Sequence, residues 1–193
     1  MKTPPLFLAS RSPRRQLLLR QMGLRFQVRP SDLPEHFDAR DTPRRNARRL
    51  ALQKARDVAA RVKRGIVIGA DTIVVIDGRI LGKPESARDA KRMLQLLSGR
   101  SHTVYTAFAL VEAPSGRSLA DVVSTRVWFR KLTGKEIGEY VASGSPLDKA
   151  GAYGIQDDYG AVFVEKIQGC FYNVAGFPLT RFYQRFREFS DSQ

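Results

Sequence analysis

The chain has 193 residues, a single cysteine, Cys170, and 33 lysines and arginines against 19 aspartates and glutamates, a formal net charge of +14. That length suits one domain, residues 1–193, with a real core, and 42% hydrophobic and 27% charged residues are ordinary for a globular protein. No apolar run nears the roughly 20 residues of a membrane helix, and one cysteine excludes an internal disulfide.

The start, Met1-Lys2-Thr3-Pro4-Pro5, runs directly into a strand and lacks a signal-peptide pattern, so a reducing, cytoplasmic setting is expected. Leu6-Phe7-Leu8 reads as that strand. Ser12 then caps a helix with Pro13 at its first position, Leu17, Leu18 and Met22 as apolar residues, and Gly23 as its stop. Arg14 and Arg15 fall in the first turn, where the helix dipole disfavours cations unless an anion offsets them. Either they hold phosphate or they are solvated.

Residues 29–41 read as a loop containing Asp32, Glu35, His36 and Asp38. Thr42 caps a long helix with Pro43 at its start and Gly65 at its end. Its apolar stripe runs Ala47, Leu50, Ala51, Val58 and Val62. Lys54 lies inside that stripe, either snorkelling to an edge or reaching into a polar cleft. The cleft is favoured, because the helix has another face for solvated charge.

Ile66-Val67-Ile68-Gly69-Ala70 reads as a buried strand, interrupted by Asp71-Thr72 before Ile73-Val74-Val75-Ile76 resumes. Asp77-Gly78 turns the chain into Arg79-Ile80-Leu81. Ser86 and Asp89 form a capping box for a helix through Leu97 that stops near Gly99. Strands over residues 102–112 and 120–131 flank the turn at Pro114-Ser115-Gly116. Thr133 and Glu136 open a further helix that ends near Gly144. A polar, glycine-containing loop, 146–160, precedes a strand over 161–167. The last helix carries Leu179, Phe182, Tyr183, Phe186 and Phe189, an aromatic stripe read as core. Hairpins mixed with crossover helices predict an α/β fold with a mixed sheet.

The charge excess concentrates in Arg44, Arg45, Arg48, Arg49, Arg56, Arg61, Lys63 and Arg64, and again in Arg181, Arg185 and Arg187. No nucleic-acid-binding motif accompanies them, so a basic outer face that attracts anions is the default reading, with no specific nucleic-acid partner. Asp71 is the sharpest chemical candidate. An acid following an apolar strand is costly to bury without a partner, and such an acid commonly binds a metal, orients water or caps a turn. Magnesium or manganese held by Asp71 and Glu35 with substrate phosphates would suit hard oxygen donors. Lys83, between Gly82 and Pro84, is either aimed or solvated. P-loop, Gly-x-Gly-x-x-Gly and Gly-x-Ser-x-Gly motifs are absent. Two histidines, His36 and His102, with one cysteine make a zinc site or a Cys-His nucleophile improbable; His102 reads as structural. Metal-activated water attacking a phosphate is the chemistry left standing.

Leu8-Ala9-Ser10-Arg11-Ser12-Pro13-Arg14-Arg15, Gly69-Ala70-Asp71-Thr72-Ile73-Val74, Gly82-Lys83-Pro84, the stretch from Leu97-Ser98-Gly99-Arg100 to Thr106, and Asp148-Lys149-Ala150-Gly151-Ala152-Tyr153-Gly154-Ile155-Gln156 together resemble the Maf nucleotide pyrophosphatases. The resemblance covers essentially the whole chain. It implies a two-lobed, mixed twisted sheet flanked by helices, akin to the inosine triphosphate pyrophosphatases, with the nucleotide in a cleft between lobes. It also implies metal-dependent hydrolysis of a nucleoside triphosphate to the monophosphate and pyrophosphate, a role in removing non-standard nucleotides, and a homodimer. By the family's pattern Asp71 is the proton acceptor. Arg14, Thr72 and Gln156 shape substrate choice, and Ser10, Arg15, Glu35, Lys54 and Lys83 line the site.

Tyr153-Gly154-Ile155-Gln156 resembles the branch acting on dTTP and UTP rather than that acting on 7-methyl-GTP, and an amide can pair with both a carbonyl and an N–H of a pyrimidine. Arg11, where a small residue is usual, and Asp157-Asp158-Tyr159 depart from the pattern. Rival readings are a nucleotide-binding regulator of cell division without significant turnover, and a nucleic-acid binder driven by charge.

Overall fold

The structure is a computed structural model that describes residues 4–156 and 158–191, the side chain of Asp158 excepted. Asp157, noted above as a departure from the family's pattern, lies outside the described residues. The elements run β1 (Leu6–Leu8), α1 (Pro13–Gln21), β2 (Gln27–Val28), α2 (Pro43–Ala59), β3 (Gly65–Ile76), β4 (Arg79–Leu81), α3 (Ala87–Leu97), β5 (Ser101–Ala113), β6 (Ser118–Phe129), α4 (Gly134–Ala142), α5 (Asp158–Ala161), β7 (Val164–Gln168), α6 (Phe171–Val174) and α7 (Leu179–Asp191). Short 3₁₀ turns at Ser145–Asp148 and Ala150–Ala152 precede α5. Helices flank a mixed sheet of order β2-β1-β3-β5-β6-β7, with β4 paired to β3. The β1 strand is parallel to both β2 and β3, with Leu6, Phe7 and Leu8 opposite Ile66, Val67 and Ile68. Pairs β3–β4 and β6–β7 are antiparallel. Among the described residues no helix is long and apolar enough to cross a membrane.

The chain divides into two compact units. The first contains residues up to Asp71, Thr106–Val123 and the chain from Gly176; the second contains Thr72–Tyr105 and Ser124–Ala175. In the first, α2 rests against β3. Gly69 makes that approach close: a Cβ there would sit 2.2 Å from the Ala51 carbonyl oxygen and 2.8 Å from the Ala55 nitrogen. Ala47, Leu50, Ala51, Ala55 and Val58 pack down, with Asn46 and Lys54 buried among them. Phe108, Phe177 and Phe182 complete this core, Phe177 and Phe182 with ring centroids 4.8 Å apart.

The second unit has its own aromatic core. Phe129 meets Tyr153 at 4.7 Å and Tyr140 meets Phe163 at 5.1 Å. His102 is structural, as its position suggested: it is buried, and its Nε2 shares a 2.7 Å hydrogen bond with the Tyr153 hydroxyl.

Several expectations need correction. The α2 helix ends at Ala59, not Gly65. Gly65 instead opens β3 at φ 142°, where a Cβ would meet the Pro5 carbonyl at 2.5 Å. Val62 therefore lies beyond the helical stripe. Asp71-Thr72 does not interrupt a strand; β3 runs unbroken through it, since backbone pairing is indifferent to a polar side chain that finds a partner. In α1 the buried residues are Leu18 and Leu19, while Leu17 is exposed, because only one face of a single surface helix can be covered. Tyr183 is likewise exposed, off the stripe formed by Phe182, Phe186 and Phe189. Asp89 accepts from the Glu85 amide rather than from Ser86, so only half of that box forms. Residues 158–161 are helical and β7 starts at Val164.

Two stability predictions follow from this packing. Gly69→Ala forces α2 away from β3 and should cost about 2–3 kcal/mol of unfolding free energy in urea denaturation. Burial lowers the His102 pKa from 6.5 to about 3. Between those values the unfolded chain binds a proton that the folded chain refuses, so stability falls as pH drops through this window. Denaturation midpoints of the wild type should decline from pH 7 to 4 more steeply than those of His102→Gln.

Candidate active site

Six of the residues singled out in the sequence, Asp71, Lys54, Glu35, Ser10, Arg14 and Arg15, come together in the first unit. Asp71 is carried by β3 two residues beyond Gly69, so both face α2. The close approach at Gly69 brings Lys54 within reach: its Nζ donates to Asp71 Oδ1 at 2.6 Å and to Glu35 Oε1 at 2.6 Å. Lys54 thus reaches into a polar site rather than snorkelling, and its side chain keeps only 10% exposure. Glu35 comes from the loop between β2 and α2 and is 43% exposed, whereas the Asp71 side chain is 4% exposed.

Asp71 Oδ2 is buried and has no hydrogen-bond partner among the described residues. Burial pushes the Asp71 carboxyl above the ordinary range; Lys54 pulls it back, Glu35 raises it further and Arg15 opposes it. A carboxylate with one oxygen held by an ammonium and the other bare is poised to accept a proton or a cation.

Helix α1 supplies the remaining pair. Ser12 caps it, with its hydroxyl accepting from the Arg15 amide at 3.4 Å. Ser10, buried at the end of β1, accepts from the Ser12 amide at 3.3 Å and from Arg15 Nη1 at 3.1 Å. Arg15 Nε donates to the Gly176 carbonyl at 3.2 Å. Burial lowers the Arg15 pKa, while the Asp71 and Glu35 charges act to raise it and Arg14 to lower it. Arg14 is half-buried beside it. Arg11, exposed, pairs with Asp32 at 2.6 Å, so its guanidinium is engaged by the Glu35 loop.

Thr72, Lys83 and Gln156 belong to the second unit. Thr72 follows Asp71 on β3 and is half-buried, while Lys83 and Gln156 are exposed. Within that unit the Gly82-Lys83-Pro84 turn and the 148–156 segment meet, since the Gly151 amide donates to the Gly82 carbonyl at 2.9 Å. Only glycine fits there: Gly151 has φ 70°, and a Cβ would sit 2.9 Å from Val74. The same segment buries Lys149, whose ammonium donates to the Ser145 carbonyl and to Asp148 Oδ1.

Two residues of α2 that the sequence reading does not assign to the site, Asn46 and Arg49, make partly buried polar contacts in the first unit. Asn46 stands eight residues before Lys54, on the same stripe as Leu50, and is fully buried. Its signal was the one that exposed Lys54, a polar side chain at an apolar helical position. Arg49 gave no such signal, being one of many arginines on this helix.

The family model described as Maf-like protein matches residues 5–189. A protein of Carboxydothermus hydrogenoformans named dTTP/UTP pyrophosphatase is 48% identical over 183 residues, 95% of this chain and 97% of its own length. Proteins of the same name from Moorella thermoacetica and Syntrophotalea carbinolica are 51% and 52% identical, over 91% and 89% of this chain and 90% and 79% of theirs. A match of this extent, running through every element that builds the site, means that the chain belongs to the Maf family.

Proposed function

We propose that this protein hydrolyses nucleoside triphosphates, dTTP and UTP foremost, to the monophosphate and pyrophosphate, with residues 1–193 as a single catalytic domain. The observation that carries the reading is the buried Asp71 carboxylate, one oxygen bound to Lys54 and the other bare. The names of the relatives support the same reaction.

Arg14, Arg15 and the amides opening α1 hold the triphosphate, with Lys83 as a further phosphate contact. Asp71 orients a water and takes its proton as the water's oxygen bonds to the α-phosphorus. The bond from that phosphorus to the bridging oxygen breaks, and pyrophosphate leaves with that oxygen. A carboxylate raised in pKa by burial is a stronger base than an ordinary aspartate, provided it remains ionised, which Lys54 and Arg15 promote. Thr72 and Gln156 discriminate among bases, the Gln156 amide pairing with a pyrimidine's carbonyl and N–H.

The donor set also fits a divalent cation. Asp71 Oδ1 and Glu35 Oε1 are hard oxygen donors that converge on one cationic group, Lys54, and Asp71 Oδ2 is a buried acceptor in need of a partner. Among the described residues no group of three or more His, Cys, Asp and Glu forms a metal cage. Magnesium or manganese would therefore take its other ligands from phosphate and water. Bound there, it would supply charge neutralisation to the phosphates.

A panel of dTTP, UTP, CTP, 7-methyl-GTP and ITP, with pyrophosphate measured apart from phosphate, tests the reading. Pyrophosphate released foremost from dTTP and UTP is the expected result. Preference for 7-methyl-GTP overturns the substrate assignment, and binding without turnover makes the protein a sensor. Gln156→Ala should lower the preference for dTTP and UTP over CTP by about tenfold or more, the loss expected when a base's polar edge goes unpaired. Asp71→Asn should fold normally by circular dichroism and lose about 10³-fold in kcat. Because activity needs the ionised carboxylate, kcat/KM of the wild type should fall as pH drops through a pKa above the ordinary aspartate range.

A further inference from the structure

Glu35 reaches Lys54 from a loop, residues 29–41, that contains neither helix nor strand. A half-exposed ion pair is too weak to order such a segment by itself. Two side chains of α2 hold it instead. Asn46 pairs with the backbone of Asp38 in both directions: the Asp38 amide donates to Asn46 Oδ1 at 2.8 Å, and Asn46 Nδ2 donates to the Asp38 carbonyl at 2.9 Å. A neighbouring strand would offer the same pair of bonds. Arg49 Nη2 donates to Asn46 Oδ1 and to the His36 carbonyl, each at 2.7 Å. Its Nε lies 4.0 Å from the Asp41 carboxylate.

The carbonyl that Arg49 grips belongs to the residue directly after Glu35. The amide that Asn46 grips lies three residues after it. Both clamps rise from the helix that carries Lys54, so the acid's backbone and the ammonium it meets share one rigid support. The arrangement also explains why Asn46 is fully buried among alanines and leucines at a helical position an apolar residue would fill: it replaces the sheet pairing that the loop lacks, and leaves no buried polar group of its own unmade.

We propose that Asn46 and Arg49 are positioning residues of the pyrophosphatase reaction, locking the backbone at His36 and Asp38 so that Glu35 is presented to Lys54, the ammonium that also holds Asp71. The proposal rests on the functional reading above. Neither side chain touches the reacting groups; both act through Glu35.

The test uses full-length Arg49→Lys and Asn46→Ala proteins, with three measurements on each: amide hydrogen exchange over residues 35–41, kcat and KM for dTTP with manganese, and the thermal midpoint. Arg49→Lys keeps the charge but loses the planar fork, so it decides the matter where Asn46→Ala does not fold. Exchange in the segment should accelerate about tenfold and kcat should fall about tenfold, with KM within about twofold and the midpoint of Arg49→Lys unchanged. A purely structural role would move the midpoint and leave kcat per folded molecule intact. Unchanged exchange, or faster exchange with full kcat, overturns the proposal. A wild type that releases pyrophosphate from no nucleotide overturns the functional reading instead, a result readily told from the other two.

Discussion

A single buried ammonium organises the first unit. Lys54 donates at 2.6 Å to a buried aspartate and to a half-exposed glutamate drawn from a different part of the chain. Neither Lys54 nor Asp71 could stand alone in the interior: an unpaired buried charge costs several kcal/mol, and removing one partner of a buried pair typically costs about 3–5 kcal/mol. The β3 strand and α2 are therefore tied to one another electrostatically as well as by packing, and the loop before α2 joins them through the hydrogen bonds of Asn46 and Arg49. That link depends on a steric condition. Gly69, with no Cβ, lets α2 settle on β3 closely enough for a lysine and an aspartate on facing elements to meet.

The same economy governs the start of α1. Arg14 and Arg15 occupy a helix start, where cations are normally unwelcome. Arg15 is held there by Ser10 and by the Gly176 carbonyl, and by the pull of two nearby carboxylates against the cost of its burial. The cluster sets Arg14, Arg15 and Lys54 against Asp71 and Glu35. Arg15 is oriented by two neutral oxygens, so a phosphate held as proposed would find its guanidinium already placed. In the second unit the Gly151 amide on the Gly82 carbonyl plays the corresponding part, joining the Lys83 turn to the segment that ends in Gln156.

Legibility in the sequence followed the physics of each feature. Short-range rules were reliable for caps: Ser12, Thr42, Ser86 and Thr133 each cap the helix they were expected to open. They failed where a residue's meaning depends on a distant neighbour. Gly65 looked like a helix stop, yet it is required by the approach of Pro5. Asp71-Thr72 looked like a break, yet the strand continues because Lys54 supplies the aspartate's partner. Leu17 and Tyr183 looked like core and are exposed, since which turn of a short helix faces inward is set by the element beneath it.

The alternation of strands and helices, the suspicion attached to Asp71 and Lys54, and the family resemblance all came from the order of residues alone. Each depends on local backbone preference or on the cost of placing charge on an apolar stripe. That Glu35 is the second acid on Lys54, that Arg15 rests on Ser10 and Gly176, and that Asn46 and Arg49 clamp the loop were decided only in the folded chain. Those pairings join residues that are distant in the sequence or lie in a loop without periodicity, and no local preference records which backbone group a long polar side chain will find once packing has brought them together.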